Sequence, residues 1–232
     1  MRKSQEDYGK LWELNAVWNH LTPDEKEFID LHTQTKHFRK NEVIYNEGDP
    51  TEHIVMVVRG TVRLTKEGVG QRLQIIRLLK PYDTFGYRSA MAGDCHSTAA
   101  TVLEPTVLYF VERDAFLEVI QKNISFCYAV LVAMSKDLGI SETQTVNLTQ
   151  KHIRGRLAET LLTLSKTYGM EGDGVTIAMY MAREDLANMS NMTTSNAIRT
   201  LSQFASEGLI SLDGRKIKVL DEKELTRISR LG

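Results

Sequence analysis

The sequence predicts an α+β protein built as an N-terminal β jelly roll, a long helix and a C-terminal winged helix-turn-helix. Three observations predict it. Short β-rich runs separated by turn residues fill residues 38–111, the texture of an all-β barrel or jelly roll. Apolar and small residues recur at spacings of three and four from Leu131 to His152, which is a helical period. From Arg183 to Leu220, two short helical patterns lead into alternating strands around an Asp-Gly pair.

Taken in order, residues 6–35 read as a helical cap, with Leu11, Leu14, Val17, Trp18 and Leu21, then Phe28, Ile29 and Leu31, at helical spacing. Thr22-Pro23 is a helix start, threonine as cap and proline at the first helical position. Strands are expected at Val43–Tyr45, Ile54–Val58, Val62–Thr65, Leu73–Leu79, Ala99–Leu103 and Val107–Val111. Gly48, Gly60, Gly68 and Gly86 lie where corners call for positive φ. Phe116 to about Gln150 reads as one helix. Leu131, Met134, Leu138, Ser141, Thr145, Leu148 and His152 form a heptad seam along it, for which the favoured reading is two chains packed together. The alternative is an amphipathic helix lying on its own barrel. Residues 153–168 form another helix, and Glu171-Gly172-Asp173-Gly174 a loop. The domains are therefore expected at 1–122, 123–151 and 152–232.

Bulk properties narrow the class. At 232 residues, 42% hydrophobic and 25% charged, the chain is long enough for two modest cores. The net charge of −1, and 11 Lys+Arg against 10 Asp+Glu over residues 152–232, mean that any positive footprint must come from placement. Cys95 and Cys127 cannot by themselves make a disulfide framework or a four-thiolate site. The start lacks an apolar core of signal-peptide type, and no apolar run is read as reaching transmembrane length. The expectation is a cytoplasmic protein with no membrane contact.

Function is read from residues 183–220. Leu186, Ala187 and Met189 give the first helix an apolar side, Ser190-Asn191 breaks it, and Met192 can plug the turn. Thr193 or Thr194 can cap the second helix. Ala197, Ile198, Leu201 and Phe204 line its inner side, leaving Thr194, Ser195, Asn196, Arg199 and Gln203 outward. Gly208 ends it, and Asp213-Gly214 predicts a type I′ hairpin carrying Arg215, Lys216 and Lys218. Such a helix suits the major groove of double-stranded DNA. Thr194, Ser195, Asn196 and Arg199 are its candidate readers, and Lys216 and Lys218 meet phosphates from the wing. Arg199 can fork onto guanine O6/N7, and Asn196 or Ser195 can take an adenine or a phosphate.

Several strings in this order resemble the cAMP receptor protein/FNR family of bacterial transcription regulators. They are Lys40 to Asp49, Arg59-Gly60-Thr61-Val62-Arg63-Leu64, Tyr82-Asp83-Thr84-Phe85-Gly86, Gly155 to Leu162, and the helix-turn-helix. The resemblance spans the chain from about residue 11 and implies a cyclic-nucleotide-binding-like barrel, a dimerisation helix, a homodimer and contact with RNA polymerase. The family's nucleotide cassette has a glutamate for the ribose and an arginine for the cyclic phosphate. Here Tyr87 stands at the first position and His96, followed by Ser97, at the second, with Arg88 beside Tyr87. Neutral histidine cannot replace a bidentate guanidinium, so a small-molecule effector other than cAMP is expected. It would lie at the junction of barrel and seam helix, around Gly86, Tyr87, Arg88, His96, Ser97 and Ser141. Ser141 falls where the family places an adenine-contacting threonine across the dimer; a polar register break in the seam explains it equally well. The FNR branch's four-cysteine iron–sulfur cluster is not expected, because the first ninety residues hold no cysteine. Haem ligands exist in kind (His53, His96, His152, Cys95, Cys127) without a motif to support them. On the recognition helix only Arg199 keeps the family's pattern.

The reading is thus a homodimeric DNA-binding regulator whose hinge lies near Asn147 to Arg154. The alternative is a cyclic-nucleotide-type regulatory or interaction module without sequence-specific DNA binding. No Ser/His/Asp order, P-loop or metal-ligand spacing appears, so an enzyme is not expected, and no catalytic or metal residue is assigned.

Overall fold

A computed structural model describes residues 8–231. The N-terminal residues 6 and 7 of the expected cap lie outside them. Two compact units are separated: the described residues up to Lys66 with Ile76–Leu138, and Glu67–Ile75 with the described residues from Gly139 onward.

In the first unit, α1 (Leu11–Leu14), a short 3-10 turn at Trp18–His20 and α2 (Pro23–Leu31) form the helical cap. Thr22 caps α2 as its sequence predicts: its hydroxyl accepts from Glu25 N, and Glu25 Oε2 accepts from Thr22 N. The cap is shorter than expected, because Thr33–Phe38 is a strand, β1, rather than helix. It pairs antiparallel with β8 (Thr106–Glu112), and tertiary pairing there overrides a helical reading that rested on spacing alone.

The remaining strands are β2 (Val43–Tyr45), β3 (His53–Arg59), β4 (Val62–Glu67), β5 (Leu73–Leu79), β6 (Thr84–Phe85) and β7 (Ala99–Val102). They form two four-stranded sheets, ordered β1-β8-β3-β6 and β2-β7-β4-β5, the jelly-roll arrangement. β3 explains both cores of this unit. Val55 and Val57 on one face join Val62, Phe85, Val102, Leu108 and Phe110 from both sheets. Ile54 and Met56 on the other face meet Trp18, Ile29, Phe116 and Phe126. A strand covered on both sides is uniformly apolar instead of alternating. The corner after β3 needs Gly60: at φ 95° any Cβ would sit 2.9 Å from Thr106 Cα. Gly68 is not such a corner, since its φ is −107°; the left-handed residues of that turn are Gly70 and Gln71.

The single helix expected from Phe116 is two. Asn123 separates α4 (Arg113–Lys122) from α5 (Ile124–Gln150), and its Oδ1 accepts from Phe126 N at 2.9 Å. A local side-chain cap ends one helix and starts the next. By length and composition α5 is long and apolar enough to cross a membrane, which corrects the expectation that no run reaches that length. His152, the last seam position, falls outside α5 and stands at the N-cap position of the next helix without a side-chain cap bond.

The second unit contains α6 (Ile153–Tyr168), α7 (Arg183–Met189), α8 (Thr194–Ser206), the hairpin β9 (Ile210–Asp213) and β10 (Lys216–Val219), and α9 (Glu222–Leu231). Leu157, Leu161, Leu164, Leu186, Leu201, Phe204, Ile217 and Leu225 are among its buried apolar residues. The hairpin register pairs Asp213 with Lys216, so Gly214 and Arg215 are its central residues. Only Gly214 has positive φ, 56°. This is the requirement of a type II′ turn rather than the type I′ turn the Asp-Gly pair predicts.

Candidate functional site

Two regions carry candidate residues, one in each unit. In the second unit, Thr193 N-caps α8 by accepting from Asn196 N at 3.2 Å, a cap worth about 1 kcal/mol. Asn191 stands between the helices in the left-handed region, φ 47°, and Met192 is buried in the turn. On α8 the inner stripe is Ala197, Thr200, Leu201 and Phe204. Ile198, expected inside, is 48% exposed, because it lies one residue off the i, i+3/i+4, i+7 stripe. Thr194, Ser195, Arg199 and Gln203 are exposed and Asn196 half-buried. The expected reading face is therefore present and carries one more exposed apolar group, Ile198.

The wing differs from expectation in its electrostatics. Lys216 faces Glu171 at 3.5 Å and lies over the Tyr180 ring; Lys218 faces Asp173 at 3.6 Å. Both lysines are thus partly neutralised by the loop before α7, leaving Arg215 as the exposed cation at the wing tip. Arg183, at the start of α7, donates to Gly214 O at 2.6 Å and ties that tip to the helix pair.

In the first unit, Gly86 precedes α3 (Tyr87–Ala92), a helix the sequence reading did not anticipate. Its φ is 88°, and a Cβ there would meet His53 O at 3.0 Å. Tyr87 does not point at open space: its hydroxyl donates to Asp137 of α5. Arg77 Nη1 of β5 donates to the same carboxylate oxygen at 2.6 Å. Burial, then the neighbouring carboxylate, raises the Tyr87 phenol well above its ordinary value, so it stays a donor. His96 is buried and stacked on Tyr45, ring centroids 3.5 Å apart and 6° from parallel. Its main chain is held on both sides, accepting from Gly48 N at 2.8 Å and donating to Asp49 O at 2.9 Å. Burial pushes its imidazolium down and the Tyr45 phenol up to about 12. Arg88 and Ser97 are brought together, Nη2 donating to Ser97 Oγ at 2.7 Å and to Ser89 Oγ at 3.1 Å. Ser141 is exposed on α5 and falls in the other compact unit. Asp137 and Arg77 were missed by the sequence reading, although a lone acid on an otherwise apolar helix face is a usable signal. Among the described residues, no group of three or more His, Cys, Asp or Glu forms a metal cluster.

Comparison with known proteins agrees with this division. Residues 35–123 match the cyclic nucleotide-binding domain, and residues 155–228 match the Crp-like helix-turn-helix domain. A CRP-like cAMP-activated global transcriptional regulator of Mycobacterium tuberculosis is 22% identical over 216 residues, covering 93% of this chain and 96% of its own. The structure of FixK2 from Bradyrhizobium japonicum aligns with a TM-score of 0.76 at 26% identity, over 84% of this chain and 96% of that one. A transcriptional regulator of the crp/fnr family from Eubacterium rectale aligns at 0.78 and 20% identity, over 97% of this chain and all of that one. With a cyclic nucleotide-binding domain followed by a Crp-like helix-turn-helix domain, the chain belongs to the CRP/FNR family of transcription regulators.

Proposed function

We propose that the chain acts as a cytoplasmic homodimer that binds double-stranded DNA sequence-specifically, contacts RNA polymerase as its family does, and carries no enzymatic activity. Its sensing domain would span residues 1–122, its dimerisation helix 123–151 and its DNA-binding domain 152–232. The observation that carries this reading is the face of capped α8 on which Thr194, Ser195 and Arg199 are exposed and Asn196 is half-buried. Arg199 reads a guanine. Arg215, Lys216 and Lys218 hold phosphates, the two lysines by exchanging their loop carboxylates for the DNA backbone. A small-molecule effector other than cAMP would act in the first unit around Gly86, Tyr87, Arg88, His96 and Ser97. Tyr87 is already bonded to Asp137 and His96 is stacked under Tyr45, so neither stands free to receive a ribose or a cyclic phosphate. Effector binding shifts the balance between two placements of the recognition helices.

Binding-site selection from random DNA tests this. The native chain should recover a two-fold symmetric site, and Arg199→Ala should lose preference at one base pair per half-site, about 1–3 kcal/mol of discrimination. Equal weakening on specific and random DNA would make Arg199 a phosphate clamp. Recovery of no sequence at all would favour the interaction-module reading.

A further inference from the structure

Within the second unit, Arg156 on α6 makes three hydrogen bonds, all to main-chain carbonyls. Its Nε donates to Ser190 O at 2.8 Å, its Nη2 to Asn191 O at 3.1 Å and its Nη1 to Lys151 O at 2.8 Å. Ser190 is the C-cap of α7, and Asn191 is the left-handed residue that follows it. Lys151 follows directly on Gln150, the last residue of α5. The final carbonyls of a helix lack intrahelical partners and carry the negative end of its dipole. One guanidinium therefore satisfies the ends of two helices at once, and its planar fork of donors is what makes that geometry available. The orientation of the Asn191 peptide in turn sets where buried Met192 and the Thr193 cap begin α8.

We propose that Arg156 is the positioning residue that fixes the reading head to the end of α5. Through it, α6, α7 and α8 move as one body, and bending is confined to α5 upstream of Lys151. This rests on the DNA-binding reading for its purpose but not for its geometry. A second polar tie provides the comparison: Thr160 and Ser190 share a buried hydroxyl–hydroxyl bond of 2.8 Å. It joins α6 to the same turn without touching α5.

Hydrogen exchange on the full chain tests the bridge through two amides, Lys151 N bonded to Asn147 O and Met192 N bonded to Ala187 O. In the native chain both amides should open together, with one shared denaturant dependence, as members of one cooperative unit do. Two separate dependences would overturn the proposal without any variant. Arg156→Lys keeps the charge but reaches fewer carbonyls, so exchange should accelerate at both amides. Thr160→Val should accelerate Met192 alone. On the selected operator, Arg156→Lys should bind roughly tenfold more weakly, the loss of one charge-assisted bond. Its binding to random DNA should stay within about twofold, since no phosphate-facing charge changes. An unchanged Lys151 amide, or operator binding equal to native, would overturn the role. If the native chain bound no operator, the DNA reading would fall while the exchange result still decided the bridge.

Discussion

The structure uses His96 as a stacked ring. It is 6% exposed and lies flat on Tyr45. Burial holds its imidazolium below the ordinary 6.5; nearby Asp49 opposes that shift and Arg88 adds to it. A depressed histidine binds fewer protons folded than unfolded. Its contribution to stability is therefore present above about pH 6.5 and lost as pH falls through the lowered value. His53, lowered first by burial and then by Lys36, works in the same direction. Thermal melts should thus fall between pH 7.5 and 5.5. His96→Phe, which keeps the stack and removes a titrating group, should flatten that fall; an undiminished fall would assign it to His53 instead. Residue-level legibility was uneven for physical reasons. Arg199 and Ser195 were placed outside by helical spacing alone, and the structure leaves them there. Ile198 is expected inside and found 48% exposed, because the stripe geometry of α8, not hydropathy, decides; the inner place goes to Thr200, which the sequence leaves unassigned.

Elements with a strong local signal were legible: the Thr22-Pro23 start of α2, the β3 run, the α8 cap and the wing strands. The elements missed were those whose cause is tertiary. α3 forms where Gly86 turns left-handed against the His53 carbonyl, and β1 exists because β8 is there to pair with it. The same limit hid Asp137, whose partners on β5 and α3 are 60 and 50 residues away in sequence. That cluster bears on ligand choice. The Tyr87 hydroxyl and Arg77 guanidinium share one carboxylate, so admitting a ribose at Tyr87 would mean breaking a satisfied, half-buried bond, at about 1–3 kcal/mol. His96 offers no fork to a cyclic phosphate to offset that. Calorimetry with cAMP should therefore show no binding up to millimolar concentration. A measured micromolar affinity would contradict this reading and direct attention to the Arg88–Ser97 pair.

On the scale of the whole molecule, the sequence order of jelly roll, long helix and winged helix was recoverable. What assembles with it is argued from surface chemistry. α5 carries Tyr128, Leu131, Leu138, Ile140 and Val146 at 48–69% exposure, and it is long and apolar enough to meet the membrane-span criterion. Its middle also holds Lys136 and Asp137, and Asp137 is ion-paired to Arg77. Those charges fit a helix that packs against protein better than one in lipid. In the proposed homodimer the partner of α5 would be a second copy of it, and pairing would give one protein two recognition helices. Leu138 lies on that seam, 62% exposed in the single chain, so changing it disturbs little of the monomer's own core. Leu138→Glu would bury a charge at every dimer contact of this residue. Sedimentation should find it monomeric at concentrations where the native chain is a dimer, with its unfolding temperature otherwise close to that of a native monomer. Losing the second head removes the effective concentration that links two half-sites, so operator affinity should drop by about 10²–10⁴, while binding to an isolated half-site should be unchanged. A Leu138→Glu protein that remains dimeric would move the interface off α5.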